Sequence, residues 1–230
     1  SMSLTSANGG YALPFLLVAL LRRRNERGDA PSLRLVQLAA TGACFAACAS
    51  VYLWLNWARF GSPWDTGYAY IHLEGFLAQR VERFGLFHPA YVPFNLSYMF
   101  LQGPHIVFAD PALLRVAGMD PFGTSILFAS PFALVAFWAR WERKLLWTAW
   151  LWIALVIVHT AFYYNNGFAQ TNAQRFTLDF WPVLIVLVAL GIKRVRAPIW
   201  KSAIAYAITL NAIALILVWH LQKLTEWLTA

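Results

Sequence analysis

Six polar side chains, set between long apolar stretches of this sequence, are of types that can bind or transform a charged ligand. Arginine has a planar guanidinium that can hold two phosphate oxygens, and histidines and carboxylates can exchange protons. The six residues are Arg59, Asp65, His88, His105, Arg175 and Asp179. Their types indicate a site for a phosphate-bearing ligand, although Arg59 and Arg175 could equally meet ordinary lipid headgroups. The sequence assigns no catalytic residue, and Asp65 is the candidate carboxylate.

Other carboxylates between the apolar stretches have a structural interpretation. Asp110 and Asp120 each precede a proline, which is typical of the residue that caps the start of a helix. Asp179 stands at the head of an apolar run, where it can cap a helix or pair with Arg175 four residues earlier. No zinc-binding spacing, glycine-rich phosphate loop or serine-hydrolase motif is present, and we expect no metal site.

The composition identifies lipid as the solvent of this chain. Hydrophobic residues make up 60% and charged residues 12%, with a mean hydropathy of +0.55. A soluble domain has about 45–50% apolar and about 25% charged residues. The net charge of +8 does not indicate a nucleic-acid partner, because the basic residues cluster between apolar runs as in the cytoplasmic loops of membrane proteins. Cys44 and Cys48 lie within an apolar run and are interpreted as structural.

Several apolar runs approach the length of about 20 residues that a membrane-spanning helix needs. The five predicted spans are Leu35–Ala58, Thr124–Ala139, Leu145–Tyr164, Phe176–Ile192 and Ala203–Leu221. The first apolar run, Tyr11–Leu21, is too short to cross alone. We expect an all-α fold, a polytopic bundle of five full spans plus a short first apolar helix. The whole chain, 1–230, is expected to be a single multi-pass domain and part of a longer protein.

Basic residues also predict the orientation of the bundle. Twelve of the 18 lysines and arginines lie in the segments 22–34, 140–144 and 193–201, which alternate along the chain with the other connections. These segments should face the cytoplasm. Residues 59–123 then form a long extracytoplasmic loop, and the protein is predicted to sit in a bacterial cytoplasmic membrane.

Short helices are predicted in this loop. Apolar residues recur at helical spacing over Leu73–Phe84, with Gly85 as the stop, which indicates an amphipathic helix in the membrane interface. Asn95 is predicted to cap a helix that ends at Gln102. A third helix is predicted from Asp110 to Gly118.

Three sequence stretches together resemble a known family. They are "NWARFGSPWDTGY" from Asn56, "DPFGTSILFASP" from Asp120 and "NAQRFTLDFWPVLIVLVALG" from Asn172. In this order they are similar to segments of GT-C superfamily glycosyltransferases, membrane enzymes that resemble protein mannosyltransferases. The resemblance covers about residues 35–192.

The resemblance implies a multi-pass enzyme that takes a sugar from a polyprenyl-phosphate carrier on the extracytoplasmic face. Arg59 and Asp65 match the first motif, and Arg175 and Asp179 match the last. The carboxylate of the family's first outer loop has no counterpart here, so the chain is expected to be a C-terminal portion that depends on a missing N-terminal part or a partner subunit. The alternative is a non-catalytic subunit of the same fold, for lipid binding or assembly. A transporter is disfavoured, because Asn211 is the only marked polar residue deep in a span.

Overall fold

The structure is a computed structural model that describes residues 9–19, 31–65, 67, 73–109, 111–113, 116–120, 122–165 and 175–216. It is mostly helical, as predicted, with one small β-hairpin. The chain forms two compact units, Ser1–Gly75 and Phe76–Ala230. Each unit is described by itself.

Two apolar helices make up the described part of the first unit. Helix α1 covers Gly10–Ala19 and is short, as expected. Helix α2 covers Pro31–Phe60, and its section Ala39–Phe60 is long and apolar enough to cross a membrane. The helix ends at Gly61, which has φ +75° and donates its N–H to the Trp57 carbonyl oxygen at 2.9 Å. Glycine suits this left-handed position because it has no Cβ. The first predicted span and the turn after it are therefore confirmed.

Two helices of the second unit are also long enough to span. Helix α6, Arg143–Phe162, agrees with the predicted span Leu145–Tyr164. Helix α8 covers Ala197–Ile216 and begins six residues before the predicted start at Ala203. The additional turn includes Lys201, whose ammonium lies 5.7 Å from the Trp200 ring centroid. Within the described residues, three helices can cross a membrane by length and composition.

The other two predicted spans are not continuous α-helices. Over 124–139 the chain forms the short helix α5, Ile126–Ala129, and then a 3₁₀-helix, Pro131–Trp138. Ser130 between them has φ −147° and ψ +63°, because a following proline disfavours the α conformation. Over 175–192 a 3₁₀-helix, Arg175–Asp179, precedes helix α7, Trp181–Ile192. Twelve residues of α-helix cover about 18 Å, less than the hydrocarbon thickness of about 30 Å. The five full spans are therefore not confirmed.

These two broken segments pack against each other, and the first of them, over 124–139, also packs against α8. Gly191 of α7 faces the Val135 backbone so closely that any Cβ at this position would collide with the Val135 carbonyl oxygen. At the break, the Ala129 carbonyl oxygen accepts a hydrogen bond of 3.2 Å from the Asn211 side chain of α8. A backbone carbonyl released by a helix break needs such a partner in an apolar environment. Asn211, the polar residue deep in a span, therefore has a structural role in the bundle.

The amphipathic helix predicted in the loop 59–123 is present. Helix α3 covers Gly75–Phe84 and ends where Gly85, at φ +75°, donates its N–H to Val81 O at 2.8 Å. A helix was predicted from Asn95 to Gln102, and the prediction of its first residue is wrong. Helical structure begins earlier, with a 3₁₀ turn, Pro89–Tyr91, followed by α4, Val92–Leu96, and a π-helical turn, Ser97–Leu101.

A β-hairpin replaces the helix predicted from Asp110 to Gly118. Strands β1, Ile106–Phe108, and β2, Val116–Met119, pair in antiparallel register, with Val107 opposite Gly118. Asp110 itself lies outside the described residues. Gly118 has φ +146°, which no α-helix contains, and β-branched residues in both strands favour the sheet. The pairing of distant residues therefore prevails over the local capping signal.

Candidate functional site

Four aromatic rings of the second unit form one connected cluster, which we call the aromatic floor. The Phe122 ring centroid lies 5.3 Å from that of Phe76, 5.2 Å from that of Phe94 and 5.2 Å from that of Tyr98. Phe94 and Tyr98, one helical turn apart, lie at 4.7 Å. The rings come from α3, α4, the π-helical turn and the segment after β2, so the floor connects these four parts of the second unit.

Arg80 of α3 lies over one side of the aromatic floor. Its guanidinium carbon is 4.5 Å from the Phe94 ring centroid, 5.2 Å from that of Phe76 and 5.6 Å from that of Tyr91. Burial lowers the pKa of Arg80, and the interaction with Tyr91 acts in the opposite direction. The guanidinium nevertheless stays charged at neutral pH, since an arginine does not lose its proton in proteins. A partly desolvated cation therefore stands among three rings.

Hydrogen bonds hold this cation at the end of α6. Arg80 Nη1 donates to the Tyr164 carbonyl oxygen at 2.8 Å, just beyond the last turn of that helix. The Tyr91 hydroxyl oxygen lies 2.7 Å from the carbonyl oxygens of both Arg80 and Gly85, which share its one O–H donor, and so fixes the last turns of α3. In the described part of the chain, no carboxylate forms an ion pair with Arg80.

Asp120 lies beside Phe122 and Tyr98 of the aromatic floor. Its Oδ1 accepts from the Phe122 N–H at 2.8 Å, and its Oδ2 accepts from the Tyr98 hydroxyl at 3.0 Å. His105 Nδ1 lies 3.5 Å from the same Oδ2. The side chain of Asp120 is only 10% exposed, whereas that of His105 is 61% exposed. The carboxylate is therefore enclosed, and the imidazole connects it with solvent.

Tyr98 is held in its protonated form beside this carboxylate. Burial raises the pKa of the Tyr98 phenol, and the hydrogen bond to Asp120 and its negative charge raise it further. Its hydroxyl therefore remains a donor to Asp120 at neutral pH. A backbone hydrogen bond of 2.9 Å from Asp120 N–H to the His105 carbonyl oxygen closes the base of the hairpin and sets His105 opposite Asp120.

Asn95 anchors the floor to α6. It is fully buried, and its side-chain amide lies 3.1, 3.0 and 2.7 Å from the carbonyl oxygens of Thr160, Ala161 and Tyr163. The last carbonyls of a helix have no partner within the helix, so Asn95 satisfies the end of α6. Asn95 is thus the cap of a distant helix end and not of its own helix.

Other predicted caps also have different roles in the structure. Ser125, and not Asp120, caps α5, since its Oγ accepts from the Phe128 N–H at 3.4 Å. Helix α7 begins after Phe180 without a side-chain cap, so Asp179 does not cap it. Asp179 is half-buried and lies near enough to His159 of α6 to act on it electrostatically.

Three of the residues predicted from the sequence have described side chains in the second unit: His88, His105 and Asp179. Of these, His105 lies at the aromatic floor, beside Asp120. His88 Nδ1 caps the 3₁₀ turn after it by accepting from the Ala90 N–H at 3.1 Å, and its ring stacks on Phe84 at 4.6 Å. The backbone of Arg175 begins the 3₁₀-helix before α7, and its side chain lies outside the described structure.

Arg59 and Asp65 belong to the first unit. Arg59 is exposed in the last turn of α2. Asp65 Oδ1 accepts from the Gly67 N–H at 2.8 Å, and the buried Asn56 amide donates to the Pro63 carbonyl oxygen at 3.2 Å. These bonds stabilise the turn after α2, which gives Asp65 a structural role.

Arg80, Tyr98 and Asp120 are absent from the set predicted from the sequence. Arg80 could have been found, since it follows Phe76 and precedes Phe84 by four residues on the apolar face of α3. Asp120 was set aside as a cap. Within the described ranges, no group of three histidine, cysteine or carboxylate side chains could hold a metal ion. No family model, curated protein or solved structure matches this chain.

Proposed function

We propose that this chain is part of a membrane glycosyltransferase of the GT-C type, which transfers a sugar from a polyprenyl-phosphate donor on the extracytoplasmic face. One observation carries the proposal beyond the sequence resemblance. An enclosed carboxylate, Asp120, and a partly desolvated cation, Arg80, both contact residues of one aromatic floor. A donor of this class has three parts that these groups could bind: an anionic phosphate for Arg80, a sugar that reacts beside Asp120, and an apolar chain for the aromatic floor.

In the proposed reaction, the acceptor hydroxyl attacks the sugar carbon that is bonded to the phosphate oxygen. The new bond joins that carbon to the acceptor oxygen, and the bond to the phosphate breaks with its electron pair on the leaving oxygen. The acceptor proton passes to Asp120 as general base, a role that contributes about 10²–10⁴-fold in rate. The exposed His105 then exchanges this proton with solvent.

The position of the cluster in the second unit agrees with chemistry at a membrane surface. The aromatic floor is anchored at the Phe162 end of α6, and the cations Arg140, Arg143 and Lys144 lie at the other end of that helix. Aromatic side chains are common at the membrane–water interface. The resemblance also implicates Arg59 and Arg175 in binding the carrier, and this stays a prediction.

The assay that tests the proposal measures loss of labelled sugar from its carrier. The protein is reconstituted in proteoliposomes with a polyprenyl phosphate that carries a radiolabelled sugar. With membrane extract added as the source of acceptor, we expect the label to leave the polyprenyl phosphate in the presence of the protein and not in empty liposomes. Retention of the label on every polyprenyl-phosphate sugar supplied, with added membrane extract as the source of acceptor, would contradict the proposal.

A second function, a non-catalytic subunit that binds lipid, is favoured by one observation. Both oxygens of Asp120 already have partners, the Phe122 N–H, the Tyr98 hydroxyl and the His105 imidazole. In this second function, the role of the engaged carboxylate is to hold the hairpin against the floor. Binding of polyprenyl phosphate without any loss of sugar would favour this second function.

A further inference from the structure

We infer that the Arg80 guanidinium is the binding group for a phosphate ester at the Phe162 end of α6. The inference deepens the proposed function, because it names the residue that would hold the phosphate of the donor. It rests on that function only for the identity of the lipid.

The first argument is the charge of Arg80. Burial disfavours the charged form of this side chain, yet no carboxylate pairs with it among the described residues. A cation that is partly removed from water is costly unless an opposite charge compensates it. Contacts with the faces of aromatic rings offset a part of this cost. An anion bound at this position would supply the missing compensation.

The second argument is the set of donors that remains. A guanidinium has five N–H groups. Within the described structure, the Arg80 guanidinium makes one hydrogen bond, to the Tyr164 carbonyl oxygen. The remaining donors form a planar fork, the arrangement that matches two oxygens of a phosphate group. A phosphate therefore fits the chemistry of this site better than a single halide ion does.

The third argument is preorganisation. The rings of Phe76, Tyr91 and Phe94 surround the guanidinium, and the Tyr164 carbonyl fixes one of its edges. A side chain that is already immobilised loses little further entropy when it binds a ligand. Most surface arginines lack this advantage.

Arg83 on the same helix provides the contrast. It is exposed, and among the described residues its guanidinium carbon lies over one ring, that of Phe84 at 5.0 Å. The two arginines lie three residues apart on α3, so a general attraction to anionic lipids would involve both of them. A specific phosphate site would involve Arg80 alone.

The phosphate could come from a lipid headgroup or from a soluble phosphate, and the experiment separates these sources. The variants are Arg80→Gln, Arg80→Lys and, as the matched control, Arg83→Gln, each purified in the same neutral detergent. Three probes are titrated: polyprenyl phosphate, the uncharged polyprenol of equal length and inorganic phosphate. The readout is the shift in melting temperature relative to each variant without probe, so that a loss of intrinsic stability does not enter.

We expect polyprenyl phosphate to stabilise the wild-type protein and Arg83→Gln equally, and polyprenol to stabilise neither. The Arg80→Gln variant loses a charged hydrogen-bond donor and should bind polyprenyl phosphate about tenfold or more weakly than the wild type. Arg80→Lys keeps the charge but not the fork, and its affinity should lie between those of the wild type and Arg80→Gln. If inorganic phosphate gives the same Arg80-dependent shift, the site holds a soluble phosphate, and the lipid source is rejected while the inference stands.

Wild-type affinity of Arg80→Gln for every phosphate probe would overturn the inference, and so would an equal loss in Arg83→Gln. If Arg80→Gln does not fold, the phosphate affinity of Arg80→Lys is compared with that of the control Arg83→Lys. Equal affinities of these two variants would overturn the inference. Sugar transfer is measured separately. Binding that depends on Arg80 without any transfer would reject the proposed function and leave the phosphate site intact.

Discussion

At the scale of single residues, the polar side chains of the second unit serve mainly to complete the ends of helices. Asn95 and Arg80 both donate to carbonyl oxygens at or just after the end of α6. The backbone bonds His88 N–H to Phe162 O, 2.9 Å, and Tyr164 N–H to Leu86 O, 3.0 Å, join the same regions. The candidate site is therefore built around a helix end that the loop must satisfy.

The substitution Asn95→Ala should destabilise the protein. It leaves buried carbonyl oxygens of α6 without their donor, which costs about 1–3 kcal/mol. Thermal unfolding in detergent should show a lower melting temperature than that of the wild type. Glu82→Ala, on the exposed face of α3, is the control and should change the free energy of unfolding by less than about 0.5 kcal/mol. An unchanged melting temperature of Asn95→Ala would contradict the capping role.

Residue roles were the least predictable part of the structure from the sequence. The capping signals at Asn95 and Asp120 are local patterns, but both side chains also contact groups that are distant in the sequence. The acceptors of Asn95 lie 65 to 68 residues further along the chain, and the Tyr98 hydroxyl that donates to Asp120 lies 22 residues before it. His105 reached the floor because a strand pairing that no local pattern predicted brought it next to Asp120.

At the scale of elements, prolines interrupt apolar stretches that composition alone predicts to be continuous. Pro131 lies inside the predicted span Thr124–Ala139, and the chain leaves the α conformation at the residue before it. The amphipathic helix and the spans that lack an internal break were predictable, since apolar periodicity and length determine them. The breaks depend on partners such as Asn211, which a pattern of hydropathy does not identify.

The close packing of α7 gives a prediction at this scale. Gly191→Ala should destabilise the protein, because the new methyl group meets the Val135 carbonyl oxygen and the two segments must move apart. Overpacking of this kind costs about 1–3 kcal/mol. Gly42→Ala is the matched control, since no atom lies within 4 Å of a Cβ built there. Gly42→Ala should be neutral or stabilising by up to about 1 kcal/mol. Equal melting temperatures of the two variants would contradict this packing.

At the scale of the whole molecule, the described residues contain three helices that can span a membrane, which supports a membrane protein, as the composition predicted. Within the second unit, the loop lies at the Phe162 end of α6, and the basic residues around Arg143 lie at the other end. Composition and charge predicted this arrangement because lipid imposes it on any sequence. The number of full spans was not predictable in the same way, since it depends on local breaks.

The orientation itself can be measured with single cysteines. After Cys44 and Cys48 are replaced by alanine, Gln79→Cys in α3 should react with a membrane-impermeant maleimide in intact cells. Glu142→Cys, before α6, should react only after the membrane is permeabilised, because the adjoining basic residues keep it in the cytoplasm. Reaction of Glu142→Cys in intact cells, with Gln79→Cys protected, would reverse the predicted orientation.

The most direct test of the central claim is the rate of sugar loss from polyprenyl phosphate in the Asp120→Asn variant. Asparagine keeps an oxygen that can accept the Phe122 N–H, so the turn is preserved while the base is removed. We predict a rate at least about 100-fold below that of the wild type, and an unchanged rate for the control Glu82→Gln, which removes an exposed carboxylate of α3. A wild-type rate in Asp120→Asn would contradict the account.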